Sequence, residues 1–472
     1  QIEALGGSTW KPKISSLEER RKLRGIQHDS EKIGSIGFHH IEFYCGDARS
    51  AASQFAVALG MSITGTTSQA TGNDQCVSYG LESGDNFRLL LTAPYSCAVV
   101  QESVSRGDSN SPTEVQYDAP VPLPNFDVVA AHEFFQKHGL AARAVGIEVL
   151  DAKAAFEASV KNGATPVLEP TFLPTCSGQL KNGVTTEGCY IAEVELYGDV
   201  VLRYVSSASE ESKTSSSIPP VNSDAATAKQ PFLPHLAPVE GSMAARDSFG
   251  IYKIDHAVGN VHNLQEAYSR IKTFTGFHEF AEFTTEDVGT VESGLNSVVL
   301  ASDTEVVLLP LNEPTEGRRK SQIQTYLEQN EGPGLQHLAL KTKDIFMTVR
   351  KMRQAQQSLF GFELMKRPSD EYYRELPDRL GDQLTPKQYE ELEELGILAD
   401  ADDEGVLLQL FTKPVGDRPT FFFEIIQRIG CVIQKDEETG MVLERPGCGG
   451  FGQGNFRELF KSIEEHEKTL KV

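Results

Sequence analysis

The sequence predicts an α+β protein of two domains, and three observations carry the prediction. The chain has 472 residues, more than one hydrophobic core usually organises. Residues 206–229, which open Ser206-Ser207-Ala208-Ser209-Glu210-Glu211, are polar, serine-rich and almost free of large apolar groups, so they read as a linker. Each flanking half contains two copies of one unit: an apolar strand, a turn, a helix stopped by glycine, and a later apolar strand.

The first copy opens with the strand Phe38-His39-His40-Ile41-Glu42-Phe43. Asp47 is placed to cap a helix over residues 51–59, and Gly60 stops it. In the second, Val145-Gly146-Ile147-Glu148-Val149 is the strand, Asp151 the cap, 154–160 the helix and Gly163 the stop. The third runs from a strand at 254–258 into a helix ending near Gly276. The fourth runs from a strand at 335–340 into a helix that begins at about Asp344 and ends by Gly361. The later strands are the apolar runs 87–91, 200–205, 306–311 and 421–426. The expected division is an N-terminal extension (1–36), a first domain (37–205), a linker (206–250) and a second domain (251–472).

Composition narrows the function. With 44 Lys and Arg against 67 Asp and Glu, the net charge of −23 repels phosphate backbones and anionic lipid, which argues against nucleic acid and membrane surfaces. The seven cysteines, Cys45, Cys76, Cys97, Cys176, Cys189, Cys431 and Cys448, are odd in number and never spaced C-x-x-C, a pattern expected of a reducing compartment. No apolar run approaches the roughly 20 residues that cross a bilayer. The expectation is a soluble, cytoplasmic protein, with a plastid as the alternative because the chain opens on Gln1 rather than Met.

Three ionisable residues stand in apolar strands. Glu424 lies in Phe421-Phe422-Phe423-Glu424-Ile425-Ile426, where alternation places it on one face with Phe422 and Ile426. A bare carboxylate there costs on the order of several kcal/mol, so it must be protonated, paired or metal-bound. Arg428 shares its face but is about 13 Å along the strand, so a partner must come from elsewhere. His256, in Ile254-Asp255-His256-Ala257-Val258, and His337, in Gly334-Leu335-Gln336-His337-Leu338-Ala339, open the third and fourth units. Taken singly, each reads as a core histidine. Together with Glu424 they offer two imidazoles and a carboxylate from separate strands, the set that holds non-haem Fe(II) with positions open for a chelating substrate and dioxygen. The wide separations exclude a helical H-E-x-x-H zinc site.

At these residues the chain resembles the 4-hydroxyphenylpyruvate dioxygenases, within the vicinal-oxygen-chelate superfamily. The likeness covers most of the chain. It is strongest in His256-Ala257-Val258-Gly259-Asn260-Val261, Ser293-Gly294-Leu295-Asn296-Ser297, Gly334-Leu335-Gln336-His337-Leu338-Ala339, Phe422-Phe423-Glu424-Ile425-Ile426-Gln427-Arg428 and Gly449-Gly450-Phe451-Gly452-Gln453-Gly454-Asn455-Phe456. The resemblance implies domains of paired βαβββ modules forming open, half-barrel mixed sheets. It implies one Fe(II) per chain on His256, His337 and Glu424, a homodimer, and conversion of 4-hydroxyphenylpyruvate and O2 to homogentisate and CO2 in tyrosine and phenylalanine catabolism. Gln409 and Gln322 are implied as catalytic polar groups, with Ser297, Asn312 and Gln336 as further substrate contacts. Phe411 and Phe456 are implied as an aromatic pair about a planar ring, and Phe422, Phe451, Asn455 and Leu459 as the wall. Phe422 and Leu459 read equally as core, and Gln336 points away from His337 unless the strand bulges there. In the N-terminal half His40 remains, but Gly146 and Arg203 stand where His337 and Glu424 are expected, so that half is read as metal-free and structural or oligomerising. There His39 and His40 are strand histidines without the other ligands.

The last segment, 456–470, carries Phe456, Leu459, Phe460 and Ile463 at helical spacing behind five glycines between Gly447 and Gly454. It reads as a packed helix or as an amphipathic gating helix whose closure excludes water. Gly447-Cys448-Gly449-Gly450-Phe451-Gly452 formally matches G-x-G-x-x-G, but the residues that follow leave no room for a dinucleotide fold. An acidic insertion, about 368–405, reads as a solvated helical face. The alternatives are a 4-hydroxymandelate synthase, an extradiol ring-cleaving enzyme, and a metal-binding protein of the same fold that turns nothing over.

Overall fold

The computed structural model describes residues 31–84, 86–97, 122–175, 180–181, 184–185, 188–208, 231–239, 248–283, 294–317, 320–358, 361–435, 442–456, 458 and 462. The described chain divides into two compact units, 31–248 with 269–276, and 249–268 with 277–472.

The elements of the first half are β1 (Ser35–Tyr44), α1 (Ala48–Leu59), β2 (Ser62–Thr67), β3 (Cys76–Ser83) and β4 (Phe87–Pro94), then α2 (Val128–His138). The pattern recurs as β5 (Ala141–Val149), α3 (Ala152–Lys161), β6 (Pro166–Pro174), the short β7 (Leu180–Lys181) and β8 (Val184–Thr185), β9 (Gly188–Tyr197) and β10 (Val200–Ser207), and β11 (Ala237–Pro238) follows. The second half contains β12 (Ile251–Asn260), α4 (Leu264–Thr275), β13 (His278–Phe283), β14 (Leu295–Ala301), β15 (Leu308–Pro314) and α5 (Gln322–Gln329). It continues with β16 (Gly334–Thr342), α6 (Ile345–Gln357), α7 (Asp370–Leu380), α8 (Pro386–Leu395), β17 (Leu398–Ala401), β18 (Val406–Phe411), β19 (Phe422–Ile429), β20 (Val432–Lys435) and β21 (Val442–Glu444).

Strand, helix and three strands thus occur four times. One mixed sheet has the order β11-β2-β3-β4-β1-β5-β10-β9-β6, the other β13-β14-β15-β12-β16-β19-β18-β17. The opening strands of paired modules lie antiparallel, β1 with β5 and β12 with β16. Each also runs parallel to the last strand of its own module. This is the expected fold class of paired βαβββ modules in open, half-barrel mixed sheets.

Local chemistry explains the helices. Asp47, Asp151 and Asp344 cap α1, α3 and α6, each accepting a backbone N–H from the first turn. Gly60 ends α1 in the left-handed conformation at φ 65°. The spacing of Ala48, Ala51, Ala52, Phe55, Ala58 and Leu59 buries one face of α1.

Several expectations need correction. The strand expected at 306–311 begins at Leu308 instead, because Ser302 and Val307 close a tight turn with Glu305 at φ 57°. Within the span expected as linker, Ala237 and Pro238 pair with β2, and Leu233 and Leu236 are buried in the core of the first unit. Against the reducing pattern read from the seven cysteines, Cys431 and Cys448 form a disulfide. The return of the β20–β21 ribbon, held by Arg445 N donating to Cys431 O, brings the two together. Most of the expected C-terminal helix, including Leu459, lies outside the described residues; Phe456, Glu458 and Ser462 are helical.

Candidate metal centre

His256, His337 and Glu424 stand on the adjacent strands β12, β16 and β19. Register brings them together: β16 pairs Ala339 with both His256 and Glu424, and His337 lies two residues away on the same face. Glu424 Oε2 is 3.2 Å from His256 Nε2 and 3.5 Å from His337 Nε2. One donor atom from each residue fits within 4.8 Å of the others, the single such group of three metal-ligating side chains among the described residues. Donors on one face of an octahedral cation at ordinary ligand distances sit about 3 Å apart, so the trio suits one divalent ion.

The surrounding chemistry prepares the donors. Burial works to raise the Glu424 carboxyl, but the two imidazoles hold it down to about 2, so it is anionic. Burial lowers His337, and Glu424 only partly opposes it. At His256 burial is outweighed by Asp255 and Glu424, which raise its pKa. Each imidazole uses Nδ1 away from the centre, His256 on Asp255 Oδ2 and His337 on Gln336 Oε1, both at 3.0 Å. That leaves Nε2 of both for a metal.

Asp255 is clamped by Arg428, whose Nε and Nη2 donate to its two oxygens at 3.0 and 2.7 Å. Arg428 Nη1 donates to Cys448 O at 2.6 Å and Gly450 O at 2.7 Å, fastening the turn that carries Phe451. Sequence reasoning saw Arg428 only as too distant for Glu424. The available signal was Asp255 itself, a carboxylate beside a histidine in an otherwise apolar strand. Gln336 turns toward the site because β16 bulges there: Val258 pairs with His337 and Gly259 with Leu335, leaving Gln336 between them.

A pocket of about 600 Å³, including its open mouth, contains the three donors. Of the residues expected there, Ser297, Asn312, Gln322, Gln336, Gln409, Phe411, Phe422, Phe451 and Phe456 line it. Asn455 stands behind the wall and donates to Gln409. Val258, Phe283, Leu295, Val299 and Pro310 complete the wall and were missed, since in sequence they look like ordinary core. Phe422 stacks on the His337 ring at 4.8 Å, and Phe456 meets Phe283 edge-on at 5.9 Å.

In the first unit the same register ends differently. Arg203 pairs with Gly146 as Glu424 pairs with Ala339, so Arg203 holds the Glu424 position. The counterpart of His337 is Ala144, opposite Glu42, rather than Gly146 as expected. Arg203 is buried and donates to Glu42 and Glu193 at 2.7 Å, with His40 Nε2 at 2.9 Å. A guanidinium thus stands where the other unit gathers metal ligands. Burial, with His39 and Arg203 nearby, pushes the His40 pKa well down.

No family model matches the chain. It is 52% identical over 444 residues to 4-hydroxyphenylpyruvate dioxygenase of Arabidopsis thaliana, covering 94% of this chain and 90% of the relative. It is 50% identical over 437 residues to the Daucus carota 4-hydroxyphenylpyruvate dioxygenase, covering 92% and 88%. Among solved structures, a mutant 4-hydroxymandelate synthase from Streptomyces coelicolor matches with TM-score 0.65 at 21% identity, covering 92% of this chain and 99% of that one, which establishes likeness of fold.

Proposed function

The chain belongs to the 4-hydroxyphenylpyruvate dioxygenase family, and from that membership we propose that it binds one Fe(II) on His256, His337 and Glu424 and converts 4-hydroxyphenylpyruvate and O2 to homogentisate and CO2. The observation that carries this reading is the meeting of Glu424 Oε2 with two imidazole Nε2 atoms in a pocket with both amide and aromatic walls. Bound Fe(II) supplies the redox chemistry toward O2 and an anchor for a 2-oxo acid.

The protein's own groups do the rest. Gln322, Gln409, Ser297, Asn312 and Gln336 offer hydrogen bonds to substrate oxygens. Phe411 and Phe456 present faces to the phenol ring, while Phe422 and Phe451 complete an apolar wall that keeps water out. Asn455 holds Gln409 in place. The reaction is a step of tyrosine and phenylalanine catabolism. The domain over 37–205 is structural or dimer-forming, the domain over 251–472 holds the iron, and two copies of the chain form a homodimer. No helix among the described residues is long and apolar enough to cross a membrane. Cytosol and plastid are the two compartments in view.

The test is product identification. Protein loaded with Fe(II) under nitrogen and exposed to 4-hydroxyphenylpyruvate and O2 should consume O2 and yield homogentisate by NMR. The isomer 4-hydroxymandelate would reassign the chain to the synthase reaction. No uptake by iron-loaded protein would favour a binding protein. Glu424→Ala should abolish turnover and bring the bound iron from one per chain to near zero.

A further inference from the structure

The hydrogen bonds that reach Glu424 from behind the pocket run in one direction. Its Oε1 accepts from Gln409 Nε2 at 2.8 Å. Gln409 Oε1 accepts from Asn455 Nδ2 at 2.8 Å, and Asn455 Oδ1 accepts from Tyr372 Oη at 2.7 Å. Tyr372 Oη in turn accepts from the backbone N–H of Ala399 at 2.8 Å. Ala399 O also lies within reach of the hydroxyl, at 3.1 Å, but Asn455 Oδ1 is the nearer acceptor. A side-chain amide has one donor end and one acceptor end, so a donor at the Tyr372 end orients both amides. All three side chains are buried, leaving no bulk water to satisfy a reversed amide. Reversal of Gln409 would set an amide oxygen against the Glu424 carboxylate.

Tyr372 lies in the first turn of α7 and Ala399 in β17, both within the insertion whose acidity predicted only a solvated face. The same insertion fastens the glycine-rich turn. Asp402 Oδ1 accepts from Gly449 N at 3.1 Å and Asp400 Oδ2 from Gly454 N at 2.7 Å. Gly452, at φ 75°, passes so close to Gln409 that an added Cβ would overlap its amide.

We propose that Tyr372 is a positioning residue for the metal centre, its hydroxyl fixing the polarity of the Asn455–Gln409 relay so that Glu424 Oε1 is held by Gln409 and Oε2 is left to face the two imidazoles and bind the cation. The inference rests on the Fe(II) reading above. It makes the insertion part of the site's support.

The experiment uses the full chain, freed of metal and titrated anaerobically with Fe(II) against a competing chelator, with the visible spectrum of the Co(II)-substituted protein as a second readout. Tyr372→Phe keeps the ring and deletes the donor. It should weaken Fe(II) binding about tenfold or more and change the Co(II) bands. In a Gln409→Leu background, which has no relay, Tyr372→Phe should cost nothing further. An affinity within twofold of wild type, or an equal loss in both backgrounds, would overturn the proposal. Should Tyr372→Phe fail to fold, Asn455→Asp takes its place: it keeps an acceptor for Tyr372 but has no donor for Gln409, and it must show the same loss for the proposal to stand. Wild type that takes up no Fe(II) would instead remove the metal reading itself.

Discussion

Asp255 shows how much one side chain adds to a metal ligand. Burial works to raise its pKa, but the Arg428 guanidinium and His256 hold it well below the usual carboxylate range. It therefore stays an acceptor for His256 Nδ1 and for Arg428 at once. Asp255→Asn should weaken Fe(II) binding about 10- to 100-fold, the usual effect of disturbing the partner of a ligating histidine. It should also lower unfolding stability by about 3–5 kcal/mol, because it leaves the Arg428 charge buried without its carboxylate. Anaerobic Fe(II) titration and urea unfolding measure the two. Unchanged affinity in the folded variant would mean that His256 is oriented by strand packing alone. The ligands themselves were legible in the sequence because each is a polar residue interrupting an apolar strand. Arg428 was not matched to Asp255, since 173 positions separate them and only the sheet makes them neighbours.

At the scale of elements, β16 carries both a ligand and a buried cation. Lys341 lies four residues from His337, and its Nζ is 2.6 Å from Glu444 Oε2 of β21. Burial lowers its pKa from 10.5 to about 8, with Lys253 adding to the effect and Glu444 opposing it. Below about pH 8 the lysine is protonated whether the chain is folded or unfolded, and the folded state carries the desolvation cost. Between about 8 and 10.5 the unfolded chain holds more protons, so stability rises with pH as that cost is relieved. Lys341→Met should remove a rise of about 3 kcal/mol across this window. Urea unfolding of both proteins from pH 7.5 to 10.5 checks it through their difference, which cancels the opposing titration of the buried thiols. Parallel curves would show that Lys341 titrates normally. Helix positions were readable from Asp caps and glycine stops because that chemistry is local. The bulge that turns Gln336 inward was not, because it depends on how β12 and β16 settle against each other.

Across the whole molecule, one architecture carries two kinds of buried charge. The unit with Glu424 gathers an anion and two imidazoles, while the unit with Arg203 neutralises a guanidinium with Glu42 and Glu193. Iron should therefore bind one per chain rather than two, as elemental analysis of the reconstituted protein would show. At 100 times its dissociation constant it should add about 2.7 kcal/mol to the stability of the unit that holds it. Differential scanning calorimetry should show the iron-dependent upshift in one transition, reversed by chelator, and equal shifts in two separate transitions would contradict a single site. The sequence by itself determined the order of the four modules, the helix caps and the three candidate metal donors, because those signals are carried by apolar periodicity, by caps and stops next to each helix, and by polar residues that interrupt apolar strands. Only the tertiary structure decided that Ala144 rather than Gly146 holds the position matching His337, that Asp255 finds Arg428, and that Tyr372 of the insertion reaches Glu424 through two amides. These depend on strand register, on a bulge and on backbone approach at Gly452, which arise when distant segments pack and leave no short-range trace in the chain.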